Sequence, residues 1–224
     1  MSGLIVLCPT RGRPRDAAET YNSFHTTAAW AGSKIVFVID EDDPSLDEYL
    51  VKGLPTLAQP APGNMVAALN QAALALVDTY DTIGFIGDDH RFRTLGWDLK
   101  VRHALERMGG GIVYGDDLAQ RANLPTQVFM SSKIIKALGW MGLPTCHHLY
   151  IDNAWLVIGT ELGRIEFLPD VVIEHLHPAY GKGEWDAGHV RVNTQDMYSH
   201  DGEAFNLWLR TDAPKDVERA RAAL

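Results

Sequence analysis

The chain has 224 residues, 46% of them hydrophobic and 22% charged, and its 29 acids against 20 bases give a net charge of −9. That length and composition suit a globular protein with a core large enough to need no disulfides, and the acidic balance excludes a nonspecific coat on nucleic acid. No apolar run nears the ~18 residues that a bilayer span requires, so no membrane partner is expected.

The opening apolar run, "LIVLC", is five residues long and meets "PTRGRPR", which predicts a strand rather than a secretory leader. Cys8 and Cys146 lie far apart with no CxxC spacing. They fit a reducing compartment, and a cytoplasmic protein is expected.

Residues 3–8 read as a strand without polar alternation, covered on both faces as in a parallel sheet. Residues 13–30 follow with Ala17, Ala18, Tyr21, Phe24 and Ala28 at helical spacing. A second apolar strand spans 34–40. The segment 63–77 predicts a helix capped by Asn64, with Met65, Ala68, Leu69, Ala72 and Leu76 on one stripe. The third strand is 82–87. Strand and helix alternate, so a right-handed α/β unit with a mostly parallel sheet flanked by helices is expected.

The second half is more mixed. It predicts a helix over 96–111, strands at 111–115 and 126–130, a serine-capped helix over 131–140 and an apolar helix over 151–163. Two short strands separated by Pro169 and Asp170 come next, then a mobile glycine-rich loop over 179–189 and two closing helices. No repeat or linker interrupts the chain. A single domain is expected, with halves at 1–92 and 93–192 and C-terminal helices over 193–224.

Ligands of parallel sheets bind beyond the carboxyl ends of the strands. Here the first strand ends in "PTRGR", the second in "DEDD" and the third in "GDDH", three polar endings on one edge. In the last, Asp88 and Asp89 offer hard oxygen ligands to Mg²⁺ or Mn²⁺, which take one or two protein carboxylates and fill the rest with substrate phosphates. The plain alternative is a solvated turn. Arg11, Arg13 and Arg15 beside a helix start favour a phosphate-bearing partner. Neither GxxxxGK[ST] nor GxGxxG is present.

The "PTRGRP" segment, the acidic second-strand end, "GNMVAALNQA" and the Asp-rich end of the third strand together resemble GT-A (Rossmann-like) fold glycosyltransferases. The resemblance is to family 2-like enzymes of the compact kind that bacteriophages encode. It covers residues 4–98 well and the second half loosely. It implies transfer of a sugar from a nucleotide-sugar donor, with Mn²⁺ or Mg²⁺ on the diphosphate. Carried over, Pro9, Thr10, Arg11 and Arg13 would border the nucleotide, Asp40 would meet the base or ribose, and Asn70 would stand on the donor side. Asp88 would meet a ribose or sugar hydroxyl. Asp89 would be the last acid of the family's DxD motif, although Gly87 stands where the first acid belongs. His177 would complete the metal site, since such enzymes often use a late histidine; a structural histidine is the plain reading.

Asp152 would be the base of an inverting transfer, or else a helix N-cap, with Asp116 and Asp117 as rivals. Lys182 would reach the diphosphate and Trp185 cover the sugar from a lid hinged at Gly181, Gly183 and Gly188, although the loop could be mere connection. His147, His148 and Cys146 are too close in sequence to converge on one zinc. A UDP-sugar is the expected donor. The acceptor would be a modified base in phage DNA, a virion protein or a glycan, reached in the host cytoplasm. A sugar nucleotidyltransferase, which needs a glycine-rich triphosphate loop, and a non-catalytic nucleotide- or carbohydrate-binding protein are the alternatives.

Overall fold

The computed structural model describes residues 3–61 and 63–224. Its first half keeps the predicted alternation and adds a short helix and strand that the sequence reading lacked: β1 (Leu4–Pro9), α1 (Pro14–Thr27), β2 (Ser33–Asp40), α2 (Leu46–Val51), β3 (Thr56–Gln59), α3 (Met65–Leu76) and β4 (Thr82–Phe85). The additions are α2 and β3. β5 (His90–Phe92), α4 (Trp97–Met108), β6 (Ile112–Asp116), β7 (Val128–Ser131), α5 (Ser132–Leu138), α6 (Ile151–Leu162) and β8 (Ile165–His175) follow. The chain closes with α7 (Ala187–Val192), α8 (Gln195–Thr211) and α9 (Ala213–Ala223).

The strands form one sheet in the order β3-β2-β1-β4-β7-β6-β8-β5. The β3, β2, β1 and β4 neighbours run parallel, as do β6 and β8, while β7 is antiparallel to both of its neighbours. Alternate residues of each central strand enter opposite cores. Ile5, Leu7 and Val38 pack with α3, α5, α6 and the C-terminal helices. Leu4, Val6, Cys8, Phe37 and Ile39 pack with α1 and α4 on the other face. Burial on both faces is why these strands read as unbroken apolar runs.

Three expectations are corrected. The two short strands are one, β8, whose first part pairs parallel with β6 and whose last residues pair antiparallel with β5. A bulge where the pairing jumps from Leu168 to Val172 absorbs Pro169 and Asp170. Gly115 makes this possible, because a Cβ there would stand 2.4 Å from the Val171 carbonyl oxygen. Serine does not cap α5: Ser131 Oγ accepts from the Gly111 amide and Ser132 Oγ donates to the Tyr80 carbonyl. The glycine-rich segment holds a short helix, α7, capped by Asp186, whose Oδ1 accepts from the His189 amide at 2.8 Å.

Asn64 does cap α3, accepting from the Ala67 amide at 2.8 Å. Among the described residues, no helix is long and apolar enough to cross a membrane.

Asp98 is fully buried in the first turn of α4. Its carboxylate accepts from the amides of Ala29, Trp30 and Leu99 and from Ser33 Oγ, tying the α1–β2 turn to α4. Removing the acceptor leaves four donors without it at once, one of them the hydroxyl of buried Ser33. Asp98→Ala is expected to cost about 3 kcal/mol, roughly 6–12 °C in Tm for a protein of this size. Asp98→Asn, which keeps one acceptor oxygen, should cost less. Thermal unfolding of the two variants checks this, and an alanine variant within a degree or two of the parent would deny the carboxylate that role.

Candidate functional site

The polar ends of β1, β2 and β4 open into one cleft of about 1030 Å³. Its floor carries Pro9, Thr10, Arg11, Arg13, Asp40, Asp88 and Asp89. The facing wall is the 147–153 segment with Asp152, and the third side comes from His175, His177, Trp185, His189 and Arg191.

Asp88 turns inward. Thr10 Oγ1 donates to its Oδ2 at 2.6 Å and Arg13 Nη1 to its Oδ1 at 2.7 Å. Burial pushes its carboxyl up to about 6 against the pull of Arg13. Both oxygens have partners, so Asp88 holds Arg13 in place. The same guanidinium meets Asp186 of the α7 cap, Nε to Oδ2 at 2.7 Å, and lies 2.8 Å from His189 Nδ1. Arg11 pairs with Asp40 and Asp42 at the lip. The amides of Gly12 and Arg13 are taken by Asp43 Oδ2 and the Tyr49 hydroxyl, which leaves no free amide cradle at these two residues.

Asp89 points into the cleft among imidazoles. Its Oδ2 lies 3.2 Å from His175 Nε2 and 3.7 Å from His189 Nε2, and its Oδ1 lies 3.2 Å from His90 Nδ1. Burial would raise this carboxyl, but His175 beside it, with His189 and His90, holds it well below the usual range. His90 stacks on His175 with ring centres 4.2 Å apart, and His90 Nε2 and His175 Nδ1 are buried without partners. Asp89, His90 and His175 each offer a ligand atom within 4.8 Å of the others, and such a carboxylate and imidazole set fits a divalent metal such as Mn²⁺. Gly87 explains its own place in the motif. A Cβ there would come 2.6 Å from Asp89 Oδ1 and 3.1 Å from His90 Nδ1, so an acid at this position would evict the Asp89 carboxylate.

His177 also lines the cleft, but its Nδ1 accepts from the Ala179 amide at 3.1 Å, and its ring meets those of His175, Tyr180, Trp185 and His189. The histidines facing Asp89 are His175, His189 and His90, none of which the sequence reading selected as a ligand. The HxH spacing pointed to the right strand end; nothing in the sequence reports that α7 returns His189 to it.

Asp152 sits in the first turn of α6, where the helix dipole favours a carboxylate. It is not the N-cap: Tyr150 holds that position with φ 63°. The hydrogen bond it accepts comes from the Asn153 amide at 2.9 Å, and burial pushes it up to about 6. Its rivals do not line the cleft. Asp117 accepts from Ala119, Arg121 and Thr126, and Asp116 from Leu118, each closing its own loop.

Two candidates lie elsewhere. Asn70 is engaged with the Gly142 carbonyl and the amides of Met141 and Gly142, and Lys182 with Glu174 and the Leu118 carbonyl. Among the described residues, Cys146 joins no cluster of metal-ligating side chains with His147 or His148. The amides of His147, His148 and Leu149 donate to the buried Asp201 of α8, which fixes that wall of the cleft.

This architecture, a curled and mostly parallel sheet with its cleft beyond the strand ends, is the GT-A fold of glycosyltransferase structures. One similar structure is the mannosyltransferase PcManGT from Pyrobaculum calidifontis, in complex with GDP-Man and Mn²⁺. It aligns with a TM-score of 0.65 at 14% identity, over 98% of this chain and 73% of that one. The glucosyl-3-phosphoglycerate synthase of Mycobacterium tuberculosis, with Mn²⁺, UDP-glucose and phosphoglyceric acid, aligns at 0.61 and 12% identity, over 92% and 80%. S. aureus TarS aligns at 0.60 and 12%, over 92% of this chain and 43% of that one. No protein-family model and no curated protein matches the sequence.

Proposed function

We propose that this chain is a metal-dependent glycosyltransferase that moves a sugar, with inversion, from a nucleotide-sugar donor to an acceptor hydroxyl. The observation that carries the reading is one cleft holding both an imidazole-flanked Asp89 and, on the opposite wall, an Asp152 carboxylate that forms no ion pair among the described residues. The occupied amides of the β1–α1 turn favour transfer over nucleotidyl chemistry, which needs a triphosphate cradle.

Asp89, His175 and His189, with His90 behind them, would hold Mn²⁺ or Mg²⁺; the nitrogen donors favour Mn²⁺. Bound there, the ion would offset negative charge developing on the leaving diphosphate. Arg11 and Asp40 at the β1 and β2 ends would border the nucleoside, and a UDP-sugar is the leading donor. Asp152 takes the proton from the acceptor hydroxyl as that oxygen attacks the sugar opposite the diphosphate. With its carboxyl at about 6, it is ionised at neutral pH yet more basic than an exposed aspartate. Trp185, edge-on to His177 and His189, is placed to shield the sugar from water. A net charge of −9 disfavours a long duplex footprint. A DNA acceptor would therefore present a single extruded modified base, and a virion protein a single side chain. Such a pairing belongs to a phage-encoded enzyme acting in the host cytoplasm, with the whole chain as one domain.

Thermal unfolding with UDP-, GDP-, CDP- and TDP-sugars, each with and without Mn²⁺, tests this. A donor at ~100 times its Kd adds about 2.7 kcal/mol, roughly 5–10 °C here. A metal-dependent shift with one nucleotide class is the expected result. No shift with any of them would end the reading.

A further inference from the structure

The charges of the cleft can be paired off one by one. Arg11 is taken by Asp40 and Asp42, Arg13 by Asp88 and Asp186, and Asp89 by its histidines. Two formal charges lining the cleft then lack an ion pair among the described residues: Asp152 on one wall and Arg191 on the other. Arg191 is exposed, on the last turn of α7, the helix whose start is tied to the floor through Asp186 and Arg13. It lines the same cleft as His148 and Asp152 of the facing wall.

A phosphorylated ligand brings further negative charge into a cleft already lined by five aspartates. Desolvating that charge without a counterion is costly. The two floor arginines are committed to carboxylates, and redirecting either would strand its partner. A guanidinium fork suits phosphate oxygens and binds them with charge-assisted hydrogen bonds.

We infer that Arg191 is the phosphate-receiving group of this cleft, a specificity residue carried by α7 that takes anionic oxygens where Arg11 and Arg13 cannot. The inference rests on the reading of the cleft as a nucleotide-sugar site. Its phosphate can come from the diphosphate of the donor or from a phosphate on the acceptor.

Calorimetric titration of the full chain with Mn²⁺ present separates the two sources and tests the assignment. The probes are UDP, UMP and uridine, then inorganic phosphate added to the UDP-loaded protein; the proteins are the parent, Arg191→Ala and Arg191→Lys. If the donor diphosphate is the source, Arg191→Ala weakens UDP about tenfold, leaves uridine unchanged and is partly rescued by Arg191→Lys. If the phosphate belongs to the acceptor, UDP binds all three proteins alike and inorganic phosphate binding falls about tenfold in Arg191→Ala. Equal binding of every probe to parent and Arg191→Ala overturns the inference while leaving the donor site standing. Should no nucleotide bind any of the proteins, the transferase reading falls instead. Inorganic phosphate alone then decides Arg191: binding lost in the alanine variant supports the assignment, and binding retained, or absent from the parent as well, refutes it. The side chain is exposed, so its loss leaves folding intact, and a Tm equal to that of the parent verifies this.

Discussion

Asp152→Asn should lower kcat by about 10²–10⁴-fold, the usual contribution of a positioned general base, while leaving donor affinity within about twofold. The same change should stabilise the protein. Burial lifts the folded-state carboxyl to about 6, above the ~4 of an exposed aspartate. For an acid the sign is clear. The native state carries no penalty below ~pH 4, and stability is lost as pH rises through 6 and the buried group must ionise. An asparagine never ionises, so at pH 7–8 the variant should gain roughly 1–3 kcal/mol after allowance for partial solvation. Activity of the parent should climb with pH and level off above about 6, and the variant's residual activity should lack that limb. A pH–rate profile beside a urea melt reads both effects. A variant that keeps most of its kcat would move the base elsewhere, and one less stable at pH 8 would make Asp152 a structural residue.

The second large effect concerns Asp89. Asp89→Ala should abolish the metal-dependent part of the donor shift, a loss of roughly 5–10 °C at saturating ligand. The fold should survive, because the change removes a carboxylate that lines the cleft and leaves the pairing of His90 with His175 in the sheet. Mn²⁺ binding followed by electron paramagnetic resonance gives a readout free of any donor, and His175→Ala should show a smaller loss of the same kind. Undiminished Mn²⁺ binding in Asp89→Ala would place the metal at other residues and empty the motif of its role.

The first half of this arrangement was open to inspection in the sequence. Uninterrupted apolar runs such as Ile35–Ile39 announce strands buried on both faces, and the acids and arginines that follow them must gather at one sheet edge. The Asn64 cap could be read for the same reason, since its partner is three residues away. What lay beyond reading was anything set by a distant partner. β5 is three residues long and exists as a strand only because His90–Phe92 meets Ile173–His175. α2 and β3 are short, with no run of their own to announce them. Which histidine reaches Asp89 depends on the return of α7, fastened by the Arg13–Asp186 pair across 173 residues. Strand-end position says that a side chain is near the cleft; it does not say which way it turns. Asn70 and Lys182 turned to backbone carbonyls and a neighbouring acid, and Asp88 to Arg13.

The pairing of β5 with β8 has a consequence for how the molecule assembles. The sheet neighbours β1, β2 and β4 come together from within the first 85 residues, whereas His90 and His175 meet only after the chain has closed a loop more than 80 residues long. Loop-closure entropy must be met before such contacts stabilise anything, so they form late. The cluster around Asp89 is therefore completed near the end of folding, and a partly synthesised chain that has not yet reached β8 carries the β1 and β2 ends of the cleft without His175 and His189.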